Sequence, residues 1–508
     1  MVPMVWLFLV FVCFTGGCTE SPQENTIRIG LAIAPTNLDP RLATDAPSAR
    51  VNRLLYSRLV DFADDATAIP ALATWEALTP THYRFVLREP RPTFPDGTPL
   101  TAKDVRDTYR SILDPKTASP HRGLLHNIRQ INTPSELAID FFLLHPDPLF
   151  PSYLVIGILP ANLIGMNHPF HENPVGSGPF LFHRRPDNSR LILKRRHDAQ
   201  LIEFVKVLNP TVRTLKLLAG EIHLLQNDLP PELVTYLSEK PSIFYQHKEG
   251  SKFAYIGFNH QDPIVGQKLI RKAIAHAINR EQIIQFALGG RARLAQALFP
   301  PSHWVGTAQL EGYGYDPRQA MELLRQAEFS RERSPTLIYK TSTDPFRLRL
   351  ATIIQEQLRQ VGIHMSIHSH DWGTFYGDIK SGHFQMYGLA WVGLKTPDIF
   401  RHAFHSQSVP PQGVNRGHYT DPVTDDLIAK AERTPETNQQ RDLYRSLQEQ
   451  LLDTLPYVPL WHEDNVALST RAIRGYTVRT DGNFDSLVHV QWATPTTVRS
   501  QIVRQTDS

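Results

Sequence analysis

Strand-like and helix-like patterns alternate along the second half of this chain, and the alternation limits the folds open to it. Residues 350–361 carry apolar side chains at helical spacing, and the pattern stops at Gly362. Residues 363–368 then alternate apolar and polar side chains, as a half-buried strand does. Strands that alternate with helices build layered α/β units. A length of 508 residues exceeds what one core holds, so we expect two or three such domains.

The first half of the chain shows the same two patterns. Residues 27–33 alternate apolar and polar side chains and predict a first strand. Residues 50–59 place apolar side chains at helical spacing and predict a helix. Thr101 followed by Asp104 is a capping-box pattern, which predicts a helix that runs through Leu113.

The charge balance argues against one class of partner. Composition is that of an ordinary globular protein, and the net charge is only +3. Proteins that bind nucleic acid usually concentrate Lys and Arg in one patch or stripe, and no such stripe dominates this sequence. We therefore expect no nucleic-acid partner.

The first residues predict an export signal. Residues 2–14 are almost wholly apolar, and about 13 residues are too few to span a bilayer but fit the core of a secretory signal. Small residues then precede Cys18, an arrangement that resembles a bacterial lipoprotein signal, which is cut before a cysteine that becomes lipidated. Thr15 stands where that pattern prefers Leu, and no Lys or Arg precedes the apolar run, so a cleavable signal without lipid is the alternative. We predict a signal peptide over 1–17, a tether over 18–26 and a lipid anchor at Cys18.

The cysteine content excludes disulfide chemistry in the exported protein. The chain has 2 cysteines, and Cys13 lies in the segment that the signal peptidase would remove. Cys18 would then be the only thiol, so no disulfide and no thiolate metal site is expected. A large exported protein of this kind is held together by core packing alone.

The segment 384–400 is the most distinctive candidate for a binding site. An apolar run from Phe384 to Trp391 predicts a buried strand, which breaks at Gly393 and becomes polar. Gly388 and Gly393 flank the Trp391 ring, and glycine lets another backbone approach closely. The combination suits a site that holds an extended ligand by its main chain. The alternative is a core strand that simply ends.

No catalytic motif stands out in the sequence. The chain contains neither a P-loop nor an H-E-x-x-H motif. His364, His368 and His370 project from one face of a predicted strand with Asp371 beside them, so metal ligation is conceivable. A polar, solvent-facing strand surface is the simpler interpretation. We predict a protein that is not an enzyme and has no cofactor and no metal.

Several longer segments resemble one protein family, in the same order along the chain. These segments are residues 83–115, 173–182, 215–225, 254–289, 314–329 and 358–375. The chain resembles the peptide-binding and nickel-binding family of ABC-transporter solute-binding proteins, the oligopeptide- and dipeptide-binding type. The resemblance extends from about residue 27 to about residue 492.

The resemblance implies an α/β fold of two lobes, the periplasmic binding protein fold of class II in its large type. The expected ranges are lobe one over 27–260 and 477–493, with an extra subdomain over 60–172, lobe two over 261–476, and a disordered tail over 494–508. The chain would cross between the lobes twice, near Asn259 and near Gly475.

The resemblance also implies a function. Proteins of this family enclose a ligand between their lobes and deliver it to an ABC importer. The implied ligand is a peptide or a peptide-like molecule, and the implied partners are permease subunits in the inner membrane. The chain would be a monomer on the periplasmic side of the envelope, anchored at Cys18. An envelope sensor or chaperone on the same fold is one alternative, and a receptor for a non-peptide ligand such as a metal chelate is another.

Ligand contacts are implied for a small set of residues. They are Trp391 and Gly388 in the distinctive segment, Trp372 as a second cleft aromatic, Arg349 or its neighbour Arg347 for a carboxylate, Asn37 after the first strand, and Lys395 and Asp398 after the tryptophan. An arginine suits a carboxylate because its guanidinium donates two parallel hydrogen bonds. The alternative for Arg349 is an ordinary exposed charge on a helix.

The sequence departs from the family pattern at the position that recognises the ligand's amino group. Peptide binders typically carry an aspartate three residues after the tryptophan, and this chain has Leu394 there, followed by Lys395. A buried ammonium without an anion costs several kcal/mol. We therefore expect weak binding of peptides with a free amino terminus, unless Asp398 takes the place of the missing acid. Blocked, acidic or non-peptide ligands fit the departure better.

Overall fold

The computed structural model of the protein describes residues 25–330, 333–411 and 413–493. The predicted signal peptide over 1–17, the lipidation site Cys18 and the predicted tail over 494–508 lie outside the described residues. Within the described residues, no helix is both long and apolar enough to cross a membrane.

The chain forms strands and helices throughout the described ranges. The strands are β1 Thr26–Leu31, β2 Val60–Phe62, β3 Ala68–Pro70, β4 Ala73–Thr79, β5 His82–Leu87, β6 Ile128–Asn132, β7 Ala138–Leu143, β8 Phe180–Asp187, β9 Arg190–Arg195, β10 Leu201–Lys206, β11 Leu224–Gln226, β12 Ile243–Phe258, β13 Ala292–Leu294, β14 Thr336–Ser342, β15 His364–His370, β16 Met386–Trp391, β17 Tyr457–Thr470, β18 Ile473–Arg474 and β19 Gln491–Trp492. The helices are α1 Ala46–Leu55, α2 Ala102–Leu113, α3 Ala161–Gly165, α4 Pro210–Leu218, α5 Pro231–Ser238, α6 Lys268–Ala277, α7 Arg280–Gln282, α8 Pro317–Gln326, α9 Pro345–Gln360, α10 Trp372–Lys380, α11 Ile399–Phe404, α12 Pro422–Arg433 and α13 Thr437–Thr454.

Local sequence signals explain where the helices of lobe two begin and end. Asp344 caps α9 by accepting a hydrogen bond from the Arg347 backbone, and Pro345 occupies the first turn. Gly362 follows the helix with a φ of +89°, a conformation that glycine adopts without strain. The helix and the following strand β15 were both predicted by the sequence pattern and are confirmed.

The first helix lies closer to the N-terminus than its hydrophobic pattern indicates. The sequence predicted residues 50–59, whereas α1 begins at Ala46 and ends at Leu55. Asp45 caps it by accepting from the Ser48 backbone, and a proline in the first turn fixes the start. The first strand also ends two residues before its predicted limit, so that Ile33 lies beyond it in the following loop.

One large mixed sheet joins the two lobes. Its strands follow the order β15-β14-β16-β12-β17-β11-β1-β10-β9-β8, with β13 paired to β17 off this path. The two long central strands, β12 and β17, are antiparallel and pair along most of their lengths. At one end of the pair β17 contacts β11, and at the other end β12 contacts β16.

β12 and β17 each run continuously between the strands of the two lobes. A shift in register between Lys248 and Lys252 interrupts their pairing, opposite residues 463–465 of β17. The crossings expected near Asn259 and Gly475 stay predictions. The exact limits of the lobes, 27–260 with 477–493 and 261–476, stay predictions.

The strand directions bring two sheet edges face to face. β14, β15 and β16 are parallel to one another, and β1, β10 and β11 are parallel in the opposite direction. The carboxyl end of β16 pairs with Phe253 of β12, and Phe253 pairs in turn with His462 of β17. The carboxyl end of β11 pairs with Ala467 of β17. His462 and Ala467 are five residues apart on β17, so roughly 17 Å separates the two strand ends. In α/β proteins ligands bind beyond the carboxyl ends of the strands, so this gap is the expected cleft.

A smaller sheet packs beside lobe one. It has four antiparallel strands in the order β4-β5-β7-β6, covered by α2. Its own core contains Phe85, Tyr109 and Phe141, and extends over residues 59–158. The capping box predicted at Thr101 and Asp104 is present at the start of α2. The subdomain limits of 60–172 stay a prediction.

Candidate ligand-binding site

Aromatic rings and one arginine form a stack at the carboxyl edge of lobe two. Trp372 begins α10 directly after β15, remains 58% exposed, and lies parallel to Tyr376 with 5.4 Å between ring centroids. The Arg416 guanidinium carbon lies 5.3 Å from the ring centroid of Tyr376 and 5.3 Å from that of Trp391. Trp391 then stacks on buried Tyr255 at 6.3 Å. The structure thus connects Trp372 and Trp391, both predicted from the sequence, through Arg416, which was not.

The backbone edge beside Trp391 is open. β16 pairs with β14 only at Met386 and Tyr387, whereas its pairing with β12 continues to Trp391. From Gly388 to Trp391, no strand of the described chain pairs with the β14 side of β16. An edge of this kind can accept an extended peptide as an additional strand. The Trp391 Nε1 atom is also buried without a hydrogen-bond partner in the described chain.

Gly388 has a packing role that the sequence did not reveal. A Cβ atom at this position would lie 1.9 Å from the Tyr339 hydroxyl oxygen. Tyr339 is 5% exposed and belongs to the core of lobe two, so its ring has little room to move. Glycine is required here by Tyr339, whether or not the Gly388 backbone also contacts a ligand.

Lys395 makes an ion pair across the cleft. Its Nζ lies 2.7 Å from an Asp481 carboxylate oxygen, and the two side chains are 19% and 11% exposed. Asp481 follows the second crossing and packs with lobe one, and the Lys395 Nζ also lies over the ring of Phe62 at 5.2 Å. Although burial alone would raise it, the pKa of Asp481 is held well below its usual range by Lys395 and by a backbone hydrogen bond from Asn483. The pair is therefore charged, and it links the two lobes.

Leu394 lies next to this ion pair. It lines a cavity of about 30 Å³ together with Lys395, Asp481 and His303, and it packs against the aromatic core of lobe two. The His303 Nδ1 accepts from the Val305 backbone, so its Nε2 donates to the Lys395 carbonyl oxygen at 3.0 Å. Burial lowers the pKa of His303 to about 4, so the ring is neutral at ordinary pH and donates through Nε2.

Asp398 points toward a different region from the aromatic stack. It accepts a hydrogen bond from the Thr396 hydroxyl, and burial raises the pKa of its carboxyl. Asp147 of the extra subdomain and Glu432 are its acidic neighbours, and burial raises the pKa of Asp147 to about 6. The three acids lie where the subdomain meets lobe two. That Asp398 takes the place of the missing aspartate and binds the amino group of the ligand stays a prediction.

The two candidate arginines of α9 have different partners. Arg349 is exposed and pairs with Glu232 of α5 at 3.1 Å, which connects lobe two to lobe one at the surface. Arg347 approaches Glu463 of the crossing strand at 3.4 Å, beside Lys252. Burial alone would raise the pKa of Glu463, but Lys252 and Arg347 hold it at about 2. Arg347 is the better placed of the two for the cleft, although its charge is already matched.

Asn37 and the histidines of β15 lie outside the aromatic stack. Asn37 uses its side chain in the loop after β1, where its Oδ1 accepts from the Asp39 backbone at 2.9 Å. His364, His368 and His370 line β15, and within the described residues no group of three or more potential ligands is arranged to hold a metal ion.

Three site residues were missed by the sequence analysis. They are Arg416, Tyr376 and Asp481, which lie on a loop, on α10 and after the second crossing. Tyr376 could have been found, because it stands one helical turn after Trp372. Arg416 and Asp481 lie in polar segments whose sequence gives no sign of burial.

Comparison with known proteins agrees with this geometry. The family model for bacterial extracellular solute-binding proteins, family 5, matches residues 67–409. The chain belongs to this family. The family membership and the two-lobed fold that the sequence predicted are both confirmed.

Individual relatives cover almost the whole chain. The chain is 25% identical over 511 residues to di/tripeptide-binding protein 2 of Pseudomonas aeruginosa, which covers 92% of this chain and 95% of the relative. It is 25% identical over 517 residues to the dipeptide-binding protein of Escherichia coli, covering 94% and 96%. Among solved structures, the periplasmic binding protein DppA of Helicobacter pylori in complex with the peptide STSA superposes with a TM-score of 0.77 at 25% identity, covering 92% and 98%. All three names describe binding proteins and not enzymes.

The packing of Gly388 leads to a first prediction. Gly388→Ala should lower the free energy of unfolding by about 1–3 kcal/mol, because the new methyl group overpacks the core against Tyr339. Tyr339→Phe in the same background removes the clashing oxygen and should recover part of the loss. Denaturant unfolding measures both. Gly377→Ala is the control, since its added Cβ meets nothing within 4 Å. Equal stability of Gly388→Ala and the unaltered protein would contradict the packing role.

The Lys395–Asp481 pair leads to a second prediction. Lys395→Met removes the partner at 2.7 Å from the nearly buried Asp481 carboxylate and leaves it only Arg479 at 3.7 Å, so the ligand-free protein should open. The cost should fall between the ~1 kcal/mol of a surface pair and the ~3–5 kcal/mol of a buried one. Small-angle X-ray scattering should show a larger radius of gyration.

A matched control separates closure from general stability. Lys340→Met breaks an ion pair of similar length, 2.6 Å to Asp378, that lies wholly within lobe two. Its radius of gyration should equal that of the unaltered protein. If Lys395→Met also scatters like the unaltered protein, the ion pair does not govern closure.

Proposed function

We propose that this protein is the extracytoplasmic receptor of an ABC importer, and that it binds peptides or peptide-like ligands between its lobes. Curated relatives that match it along most of its length are named as dipeptide- and tripeptide-binding proteins. The solved relative from Helicobacter pylori holds a peptide. Delivery to permease subunits as a monomer belongs to the same proposal.

The open edge of β16 is the observation that carries the peptide proposal. A ligand lying along Gly388–Trp391 would form main-chain hydrogen bonds where the ladder with β14 has ended. Exposed apolar side chains stand at the ends of strands on both sides of the cleft, namely Ile33 in lobe one and Trp372 and Val392 in lobe two. They supply apolar surface for ligand side chains without fixing their identity.

The residues around Leu394 disfavour a ligand with a charged amino end. Leu394 accepts no hydrogen bond, and the nearby Asp481 is already paired with Lys395. A ligand ammonium entering here would compete with Lys395 for the same carboxylate. The preferred ligands are therefore blocked at the amino end or lack a cation there.

Titration calorimetry with a tripeptide and its N-acetylated form tests this proposal. A buried ammonium left without its acid costs about 3–5 kcal/mol, several hundredfold or more in affinity, and Leu394 offers no acid. The acetylated peptide should bind more tightly than the free amine. Tighter binding of the free amine that is lost in Asp398→Asn would show that Asp398 supplies the acid. Failure of both forms to bind would contradict the peptide proposal itself.

We also propose that the mature protein begins at Cys18 and is held by lipid on the periplasmic side of the envelope. The apolar run that ends in small residues before Cys18 supports this. In cells given labelled fatty acid, Cys18→Ser should incorporate no label. Cys13→Ser is the matched control and should be labelled normally, because Cys13 leaves with the signal peptide. Equal labelling of Cys18→Ser and the unaltered protein would refute the anchor.

A further inference from the structure

Arg416 is a buried cation without a counter-ion in the described chain. The residue is 6% exposed; its Nη2 donates to the Tyr376 hydroxyl at 3.1 Å, and the Tyr387 hydroxyl is a second neutral contact. No carboxylate of the described residues forms an ion pair with it. Buried charges in proteins are normally paired, because an isolated one loses its hydration without compensation.

Other buried arginines of the same protein have hydrogen-bond acceptors for their guanidinium groups. Arg195, Arg213, Arg271 and Arg280 are 1–4% exposed, and each donates to at least two backbone carbonyls. Arg195 also pairs with a carboxylate at about 2.5 Å. Arg416 instead contacts only neutral tyrosine hydroxyls among the described residues, and no backbone carbonyl accepts from it. Packing alone therefore does not explain why this arginine is buried.

The aromatic groups around Arg416 carry no compensating charge. Tyr255, Tyr387 and Tyr457 are its close neighbours. Burial raises the pKa of each phenol above its ordinary value, so all three stay neutral at physiological pH. The rings of Trp391 and Tyr376 add cation–π attraction, which steadies the guanidinium but provides no acceptor for its remaining N–H groups.

A second donor beside Arg416 also lacks an acceptor. The Trp391 Nε1 atom is buried and unpartnered, and the Trp391 ring lies against the guanidinium. Both residues lie at the carboxyl edge of lobe two. A cation with only neutral contacts and an indole N–H with no acceptor call for an anionic acceptor.

The loop that carries Arg416 is rigid. Asn415 is 1% exposed, and its side chain donates to the His405 and Tyr419 carbonyls and accepts from the Tyr419 backbone. A Cβ at Gly417 would lie 2.1 Å from the Phe258 carbonyl oxygen, so the loop presses directly on β12. The guanidinium is held in place before any ligand arrives, as preorganised binding groups are.

We propose that Arg416, assisted by Trp391, binds a carboxylate of the ligand. The proposal rests on the proposed function and specifies the chemistry of its ligand: a carboxylate, supplied by the chain terminus or by an acidic side chain. Guanidinium matches a carboxylate because two N–H groups can donate in parallel. Arg416 is a specificity-determining residue in this view, and Arg349 and Arg347 are not required for the anion.

Calorimetry with matched peptides tests the proposal on the full chain. The probes are N-acetylated trialanine as the free acid, the same peptide as its amide, and the amide with a central glutamate. The unaltered protein should bind the acid on the order of 10–100-fold more tightly than the plain amide. In Arg416→Gln that ratio should fall to about one, and Arg416→Lys should keep part of it. Arg359→Gln, which removes an exposed charge paired with Glu356, should keep the full ratio.

The glutamate probe identifies the source of the carboxylate. If the central glutamate restores the affinity that amidation removed, a side chain can fill the site. If it does not, the terminal carboxylate is the ligand group. Either result supports the proposal, whereas an unchanged acid-to-amide ratio in Arg416→Gln overturns it and leaves the peptide receptor intact.

A melting experiment judges the anion site without any peptide. Sodium acetate should raise the melting temperature above that in sodium chloride of equal ionic strength, and Arg416→Gln should abolish the difference. Without ligand, Arg416→Gln should melt no lower than the unaltered protein, while Arg271→Gln, which deprives four carbonyls of a donor, should melt lower. If no peptide binds, the proposed function fails, and the acetate experiment tests the anion site by itself. An equal rise in melting temperature in Arg416→Gln and in the unaltered protein would then overturn the anion site.

Discussion

Antiparallel pairing between β12 and β17 is the interaction on which the rest of the structure depends. Both strands pass through both lobes, and β11 and β16 each pair antiparallel with one of them, so β11 and β16 run in opposite directions. The carboxyl edges of the two lobes therefore face each other across the cleft. The register shift at Lys248–Lys252 interrupts the pairing of β12 with β17, where Lys252 and Arg347 surround Glu463.

Charges inside this protein are stabilised in three different ways. Arg271 and Arg280 are surrounded by carbonyls and serve the core of lobe two. Lys395 finds its acid on the other lobe, so its desolvation is compensated only when the cleft is closed. Arg416 finds no acid in the described chain. The first solution depends on the fold of one lobe and the second on closure, and we propose that the third depends on the ligand.

Much of the fold could be predicted from the sequence because its signals are local. The helix α9, the strand β15 and the capping box of α2 depend on spacing and caps within a few residues. For the candidate site, the sequence indicated some of the residues that the structure brings together. Trp391 and Trp372 stand out as aromatics at strand ends, but the partner of Lys395 lies 86 residues further along the chain. The reason for Gly388 is a tyrosine on a neighbouring strand, and a single sequence does not display such contacts.

The two departures from an ordinary peptide site point in the same direction. At one position an acid is missing, because Leu394 stands beside a lysine whose charge is already matched by Asp481. At another position a cation is present without an anion, because Arg416 is held between Trp391 and Tyr376. A site with no free acid for an ammonium and, as we propose, with a place for an anion disfavours a zwitterionic dipeptide, whose two charges need both. It favours a ligand with a net negative charge and a neutral amino end, and that selectivity combines Arg416 of lobe two with the pair that Lys395 forms with Asp481.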